Sequence, residues 1–167
     1  PILDGQGRVW MTSTIRARPN PDWCKEGSDH PSAKHFPLSQ AGRQASYYDP
    51  ETEKFVLIDT CFGTHHLQFG EDEDDTLFFS GGGSVVGWIN TRLYDATGDE
   101  RFSQGWCPGV LDTNGDGKPT KPWNGIGEYI DPTRDTLVRA GGYGVIYNPR
   151  DGTLWASQTG PFPGRIV

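Results

Sequence analysis

Residues 145–160 read "VIYNPRDGTLWASQTG", and the same pattern occurs twice more in the chain, as "ILDGQGRVWMTS" at 2–13 and "LQFGEDEDDTLFFSGG" at 67–82. Each copy has a short apolar run, then an acidic or glycine-rich turn, then a second apolar run that carries an aromatic residue. Short alternating runs of this composition are typical of strands, and an Asp-Gly turn reverses the chain between them. The repeat therefore predicts three similar β-hairpins.

Alignment of the three copies on the second strand gives four sets of equivalent positions. They are Val9, Leu77 and Leu154; Trp10, Phe78 and Trp155; Met11, Phe79 and Ala156; and Thr12, Ser80 and Ser157. The spacing from one copy to the next is longer than the ~40–50 residues of a typical propeller blade. We therefore expect insertions between the hairpins, near 17–45 and 90–135, where proline, glycine and charge are frequent. A single hairpin cannot bury both its faces, so repetition of this kind favours stacked sheets.

Composition narrows the class of protein. Glycine (23) and proline (13) together make up 36 of the 167 residues, which suits short strands joined by turns and disfavours a helical bundle. The net charge of −7 argues against a nucleic-acid partner, because phosphates would be repelled. The sequence contains no apolar run long enough to span a membrane as a helix. The chain is expected to be an all-β domain.

Several segments resemble the blades of virginiamycin B lyase-like (streptogramin lyase-like) β-propellers. They are "DPETEKFVLIDT" at 49–60, "HHLQFGEDEDDTLFFSGGG" at 65–83, "GWIN" at 87–90 and "YGVIYNPRDGTLWASQTGPFPGRIV" at 143–167. Asp49-Pro50-Glu51-Thr52 with Phe55 matches the outer strand of such a blade, while Gly87-Trp88-Ile89 and Gly164-Arg165-Ile166 match its "G-x-I" strand. The chain is also similar to large secreted bacterial proteins that join such a propeller to a carboxypeptidase regulatory-like domain. Likeness at the level of repeats specifies a fold better than a reaction.

The resemblance implies a partial β-propeller of about three blade units with long insertions, forming one segment over residues 1–167. A closed ring needs at least about four blades. We therefore expect a fragment of a larger propeller, whose open edges pair with the remaining blades or with further copies of the chain.

A histidine pair, His65-His66, stands before the strand "LQF". The resemblance places this strand innermost in its blade, at the mouth of the central channel. In streptogramin lyases a histidine there acts as general base, with a bound magnesium that acidifies the substrate. Because neighbouring residues of a strand point to opposite sides, only one of the two is expected to face the channel, and His66 fits that place better. The alternative is a histidine that serves packing or hydrogen bonding alone.

The stretch "DTNGDGKPTKPW" at 112–123 resembles the start of a calcium loop. Asp112, Asn114 and Asp116 alternate as oxygen ligands for a hard cation do, Gly117 permits the turn, and the Lys118 carbonyl takes the next ligand position. The twelfth position is Trp123 rather than a bidentate glutamate, so the loop is not an EF-hand. Glu128 or Asp131 is expected to supply a further carboxylate to a structural calcium ion. The alternative is an ion-free loop closed by Asx turns.

The remaining polar features favour structural roles. Three cysteines, Cys24, Cys61 and Cys107, predict one disulfide and one buried thiol. His30 and His35 are expected in a solvated insertion loop, and "EDEDD" at 71–75 in a solvated turn. The glycines of "SGGGS" at 80–84 are expected to allow close approach of two backbones.

Two functions are compatible with these features. The first is a secreted or periplasmic propeller that serves as a scaffold or binds a small molecule, glycan or protein at its channel. The second is a metal-dependent lyase or hydrolase that acts on a cyclic ester or lactone, with a channel histidine as base and magnesium as cofactor. Magnesium-dependent turnover that is lost on His66→Ala distinguishes the second from the first.

Overall fold

The computed structural model describes residues 1–81, 83–139, 142–158 and 165–166. Strands hold 36% of the residues and helices 10%, so the fold is mostly β, as the composition predicts. The described strands form three open antiparallel sheets that follow one another along the chain. Gly82 and Gly164, which belong to predicted motifs, lie outside the described residues.

The first sheet contains the first repeated hairpin and an outer pair of strands. Its strands, in spatial order, are β1 (Ile2–Leu3), β2 (Val9–Ile15), β3 (Arg43–Asp49) and β4 (Lys54–Ile58). The register between β2 and β3 shifts between Met11 and Thr14, which marks a bulge.

The second sheet has five strands, in the order in which they occur in the chain. They are β5 (His66–Phe69), β6 (Thr76–Ser80), β7 (Val85–Asn90), β8 (Gln104–Leu111) and β9 (Thr136–Val138). The third sheet consists of β10 (Val145–Tyr147), β11 (Leu154–Gln158) and β12 (Arg165–Ile166).

The three predicted hairpins are confirmed, and they share one register. Trp10 lies opposite Ile2, Phe78 opposite Gln68, and Trp155 opposite Ile146. The repeat in sequence is therefore a repeat in structure, because equivalent residues occupy equivalent positions in three sheets.

The sheets pack face to face in sequence order through these equivalent positions. The Trp10 ring of the first sheet lies edge-on to Phe69 of the second, with centroids 6.4 Å apart. The Phe78 ring of the second sheet stacks on Tyr147 of the third, at 5.6 Å and 13° between planes. A core of fully buried side chains fills the boundary between the first two sheets: Trp10, Ala45, Ile58, Phe62, Leu77, Phe79 and Ile89.

The two stretches expected to hold insertions contain regular structure. Residues 17–45 include a short 3-10 helix (Asp22–Cys24), helix α1 (Pro31–His35) and the beginning of β3. Residues 90–135 include helix α2 (Thr91–Thr97) and β8. Since β8 pairs with β7 from Val85 to Ile89, this stretch contributes a strand to the second sheet as well as a long loop.

Cysteine pairing confirms the prediction in part. Cys24 and Cys61 form a disulfide that ties the 3-10 helix to the segment between the first two sheets. The third cysteine was expected to be a buried thiol, and this was wrong: Cys107 is free and exposed on β8.

Within the described residues, no helix combines the length and the apolar character that a membrane crossing requires.

Candidate functional site

Three aromatic rings meet at the start of β5. The His65 and His66 rings lie 4.5 Å apart, edge to face, and the Tyr143 ring lies 5.3 Å from the first and 4.5 Å from the second. Both histidines are exposed, and Tyr143 is 53% exposed. We call His65, His66 and Tyr143 the ring cluster.

Hydrogen bonds from side chains of the first and second sheets hold the backbone of the ring cluster in place. Ser80 Oγ accepts from the His66 backbone N–H at 3.1 Å and donates to the Tyr143 carbonyl at 2.8 Å. Thr12 of the first sheet donates its hydroxyl to the His65 carbonyl at 2.6 Å. Thr12 and Ser80 are equivalent positions in the repeat, and each donates its hydroxyl to a backbone carbonyl in the segment that precedes the following sheet.

The expectation that strand alternation would turn the two histidines to opposite sides was wrong. His66 is the first residue of β5, whereas His65 precedes the strand, so the alternation of side chains along a strand does not apply to His65. Both imidazoles therefore contact the same tyrosine ring. The glycine expectation is confirmed for Gly81 alone: a Cβ there would lie 2.6 Å from the Gly63 carbonyl oxygen, so these two backbones approach closely beside the cluster, whereas a Cβ on Gly83 would meet nothing within 4 Å.

Desolvation lowers the pKa of His66 below its usual value, and the neighbouring His65 adds to this effect by charge repulsion. The His66 imidazole is therefore neutral near pH 7. A neutral ring can accept a proton or a hydrogen bond, and it presents its face to a ligand without a charge.

Metal ligation is not organised around these rings. In residues 1–81, 83–139, 142–158 and 165–166, no three His, Cys, Asp or Glu side chains are grouped so that they could hold a metal ion. The cluster presents flat, exposed rings that carry hydrogen-bonding groups.

The predicted calcium loop has its oxygen ligands turned inward onto its own backbone. The Asp112 carboxylate accepts from the N–H groups of Gly115, Asp116 and Gly117, at 2.7, 3.1 and 2.8 Å. Asn114 Oδ1 accepts from Asp116 N, and Asp116 Oδ1 accepts from Lys118 N. This pattern closes the loop by Asx turns.

The more distant carboxylate that contacts the loop is Asp135, and not the predicted Glu128 or Asp131. Glu128 accepts from Gly125 N within its own turn, and Asp131 accepts from Thr133. Asp135 is fully buried, and its Oδ2 accepts from Thr120 N at 2.7 Å, while its Oδ1 has no hydrogen-bond partner. Residue spacing could not predict the place of Asp135, because its proximity to the loop depends on β9 and not on position along the loop.

His30 does not lie in a solvated loop, and that prediction was wrong. Its side chain is 3% exposed and stacks on Trp106, with centroids 4.8 Å apart. Nε2 lies 3.0 Å from the Arg101 carbonyl and 3.1 Å from that of Gln104, so it carries the proton, while Nδ1 accepts from Ser32 N at the start of α1. The ring is a structural part of the core.

A cavity of about 600 Å³ lies between the β1–β2 turn and α2, and its charges are paired. Arg8, 7% exposed, donates to Asp4 at 2.6 Å and to both carboxylate oxygens of Asp95 at 2.6 and 2.9 Å. Trp10 Nε1 also donates to Asp4.

The acidic turn at 71–75 is largely solvated, as expected, except that Asp75 pairs with Arg92. The Arg8–Asp95 contacts join the first sheet to α2, and the Asp75–Arg92 pair joins the turn between β5 and β6 to the same helix.

Comparison of the chain with protein-family models, with curated proteins and with solved structures finds no match.

Proposed function

We propose that this chain is a segment of an extracytoplasmic β-propeller of the streptogramin lyase-like kind, and that it binds a ligand through the ring cluster. The observation that carries the proposal is the meeting of the exposed rings of His65, His66 and Tyr143, on backbone that Thr12 and Ser80 hold by hydrogen bonds. Because this backbone is already ordered, less conformational entropy is lost on binding, which favours recognition.

The chemistry of the cluster favours an uncharged or weakly polar ligand. Aromatic faces bury apolar surface, and the tyrosine hydroxyl and imidazole nitrogens offer hydrogen bonds at the rim. A glycan or the side chains of a protein loop present this combination of apolar faces and hydroxyl or amide groups. Small molecules of the same character fall in the same class.

One further feature supports an extracytoplasmic scaffold. The Cys24–Cys61 disulfide is of the kind that persists in oxidising compartments, such as the periplasm or the extracellular space. We also propose that the loop at 112–118 holds a structural calcium ion when its carboxylates turn from their own backbone N–H groups toward the ion. Asp135, which contacts Thr120, then replaces Glu128 or Asp131 as the additional carboxylate.

Binding is tested by screening the protein against glycan and peptide arrays and measuring the affinity of any ligand by calorimetry. Tyr143→Ala and His66→Ala are each expected to weaken binding about tenfold or more, since each removes one of three adjoining rings. Tyr129→Ala is the matched control, because Tyr129 is 88% exposed and lies in the loop before β9. Equal affinity in all three variants would place the ligand elsewhere.

A second candidate is the metal-dependent lyase or hydrolase, and one observation favours it. The lowered pKa of His66 leaves its imidazole free to accept a proton near neutral pH, as a general base must. Magnesium-dependent turnover of a cyclic ester or lactone, lost in His66→Ala and retained in Tyr129→Ala, is the expected result if the site is catalytic. Ligand binding without turnover supports the binding module.

A further inference from the structure

Each repeated hairpin carries two positions that face opposite neighbours. The aromatic residue of the second strand is one of them: Trp10 and Phe78 contact the following sheet, and Trp155 holds the equivalent position in the third sheet. The last residue of the first strand is the other: Phe69 and Tyr147 contact the preceding sheet, and Leu3 holds the equivalent position in the first. These residues pair across their hairpins with Leu77, Leu154 and Val9. All three sheets therefore have the same polarity in the stack.

Both internal boundaries use the same contact. Trp10 meets Phe69 at the first boundary, and Phe78 meets Tyr147 at the second. One aromatic position and one facing position remain. Trp155 is 53% exposed, and Leu3 is 64% exposed. The outer face of the third sheet therefore exposes the aromatic position of this contact, and the outer face of the first sheet exposes the position that it packs against.

Each half belongs to a larger uncovered apolar face. On the third sheet, Ile146 lies opposite Trp155 and is 67% exposed, and Ile166 on β12 is 71% exposed. We call these three residues the tail face. On the first sheet, the row that begins at Leu3 and Val9 continues through Tyr48 to Phe55, which are 37% and 53% exposed. We call Leu3, Val9, Tyr48 and Phe55 the head face.

We propose that copies of this chain associate head to tail, with the tail face of one copy packed on the head face of the next. For the chain of 167 residues, a second copy is the occupant that the structure favours, because it presents the complementary face in the polarity that both internal boundaries already show. In the larger propeller proposed above, a neighbouring blade would occupy the same face. Uncovered apolar faces of this kind mark association surfaces. The contact is heterologous, so it closes a ring or continues as an open stack according to the rotation between copies.

This inference rests on the stacking of the sheets and not on what the ring cluster binds. Loss of ligand binding in Tyr143→Ala and loss of association in a face variant are separate measurements. Either proposal can therefore fail while the other stands.

Sedimentation velocity over a concentration series tests the proposal. The unmodified chain is expected to show species at multiples of 18.4 kDa that increase with concentration. Trp155→Glu and Leu3→Glu should each shift the protein to the monomer. Tyr129→Glu introduces the same charge at an exposed tyrosine outside both faces and should leave association unchanged. Circular dichroism confirms that each variant is folded, which is expected because the substituted side chains are exposed.

A mixture of the two face variants is the decisive sample. Trp155→Glu retains an intact head face and Leu3→Glu an intact tail face, so the mixture can form one junction and no more. A species of twice the chain mass in the mixture, absent from either variant alone, supports the head-to-tail contact. A monomer throughout the concentration series, or association that survives Leu3→Glu, overturns it.

Discussion

Phe78 and Tyr147 stack across the boundary between the second and third sheets, with centroids 5.6 Å apart and planes 13° apart. Phe78 is the residue that the repeat aligns with Trp10, and Trp10 meets Phe69 at the other boundary. One hairpin pattern therefore determines both the strand pairing within a sheet and the order in which sheets stack. The same order gathers Thr12, Ser80 and Tyr143 around the exposed histidines.

Close packing at the first boundary depends on the absence of a side chain at Gly87. A Cβ at this position would lie 2.2 Å from the ring of Phe62, which is 1% exposed and has no space into which to move. Gly87→Ala is therefore expected to lower the free energy of unfolding by about 1–3 kcal/mol, the usual cost of overpacking. Urea denaturation followed by tryptophan fluorescence measures the change.

Gly42→Ala is the matched control for Gly87→Ala. A Cβ on Gly42 meets nothing within 4 Å, and its φ is not in the left-handed region. This substitution should leave stability unchanged or raise it slightly, because alanine restricts the unfolded chain. Equal losses in the two variants would show that the Phe62 contact does not limit packing.

The sequence predicted the hairpins because their signals are local. Alternating residues, a turn and an aromatic residue occur within 16 positions, as in 145–160. Strand β8, "QGWCPGVL", was missed because glycine and proline within a run argue against a strand. Its pairing with β7 overrides that weak local preference.

Contacts between distant segments explain the site residues that the sequence misplaced. His30 is buried because α1 packs on β8, so that its ring reaches the carbonyls of Arg101 and Gln104. Asp135 reaches the 112–120 loop because Asn124 and β9 bring the two segments together. Neither contact has a signature in residue spacing.

The disulfide is expected to contribute most of its stabilisation through the unfolded chain. Cys24 and Cys61 are separated by 37 residues, and closing a loop of that length removes about 4 kcal/mol of unfolded-state entropy. The Cys24→Ser/Cys61→Ser double variant should lose a comparable part of its unfolding free energy in denaturant titrations. Cys107→Ser, which alters the free and exposed thiol, serves as control and should behave as the unmodified protein. A double variant as stable as this control would contradict the prediction.

Burial of His30 makes stability depend on pH. Desolvation lowers the pKa of His30 in the folded state, and the carbonyls of Gln104 and Arg101 only partly offset this effect. The unfolded chain then binds a proton at a higher pH than the folded chain. The stabilisation is fully present above the unfolded-state pKa of about 6.5 and is lost as pH falls through the folded-state pKa.

Chemical denaturation between pH 8 and pH 5 measures this dependence. His30→Asn removes the titrating group and keeps a side-chain acceptor for Ser32 N, so we expect a lower unfolding free energy at pH 8 and a flatter profile below pH 6.5. The same steep decline in variant and unmodified protein would assign the pH dependence to other groups.

The calcium proposal for the 112–118 loop predicts a response that the loop's hydrogen bonds alone cannot produce. Asp112→Ala removes the acceptor for three backbone N–H groups, which costs about 1 kcal/mol even in the absence of calcium. If the loop holds the ion, added calcium raises the melting temperature of the unmodified protein by mass action and leaves that of the variant unchanged. Scanning calorimetry with calcium or with a chelator provides both measurements.

Two further variants, Asp135→Asn and Glu128→Gln, compared in the same way, identify the more distant carboxylate. The calcium response should fall with Asp135→Asn and persist with Glu128→Gln, because Asp135 alone of the two contacts the loop through Thr120. A melting temperature that does not change with millimolar calcium would establish an ion-free loop closed by its own Asx turns.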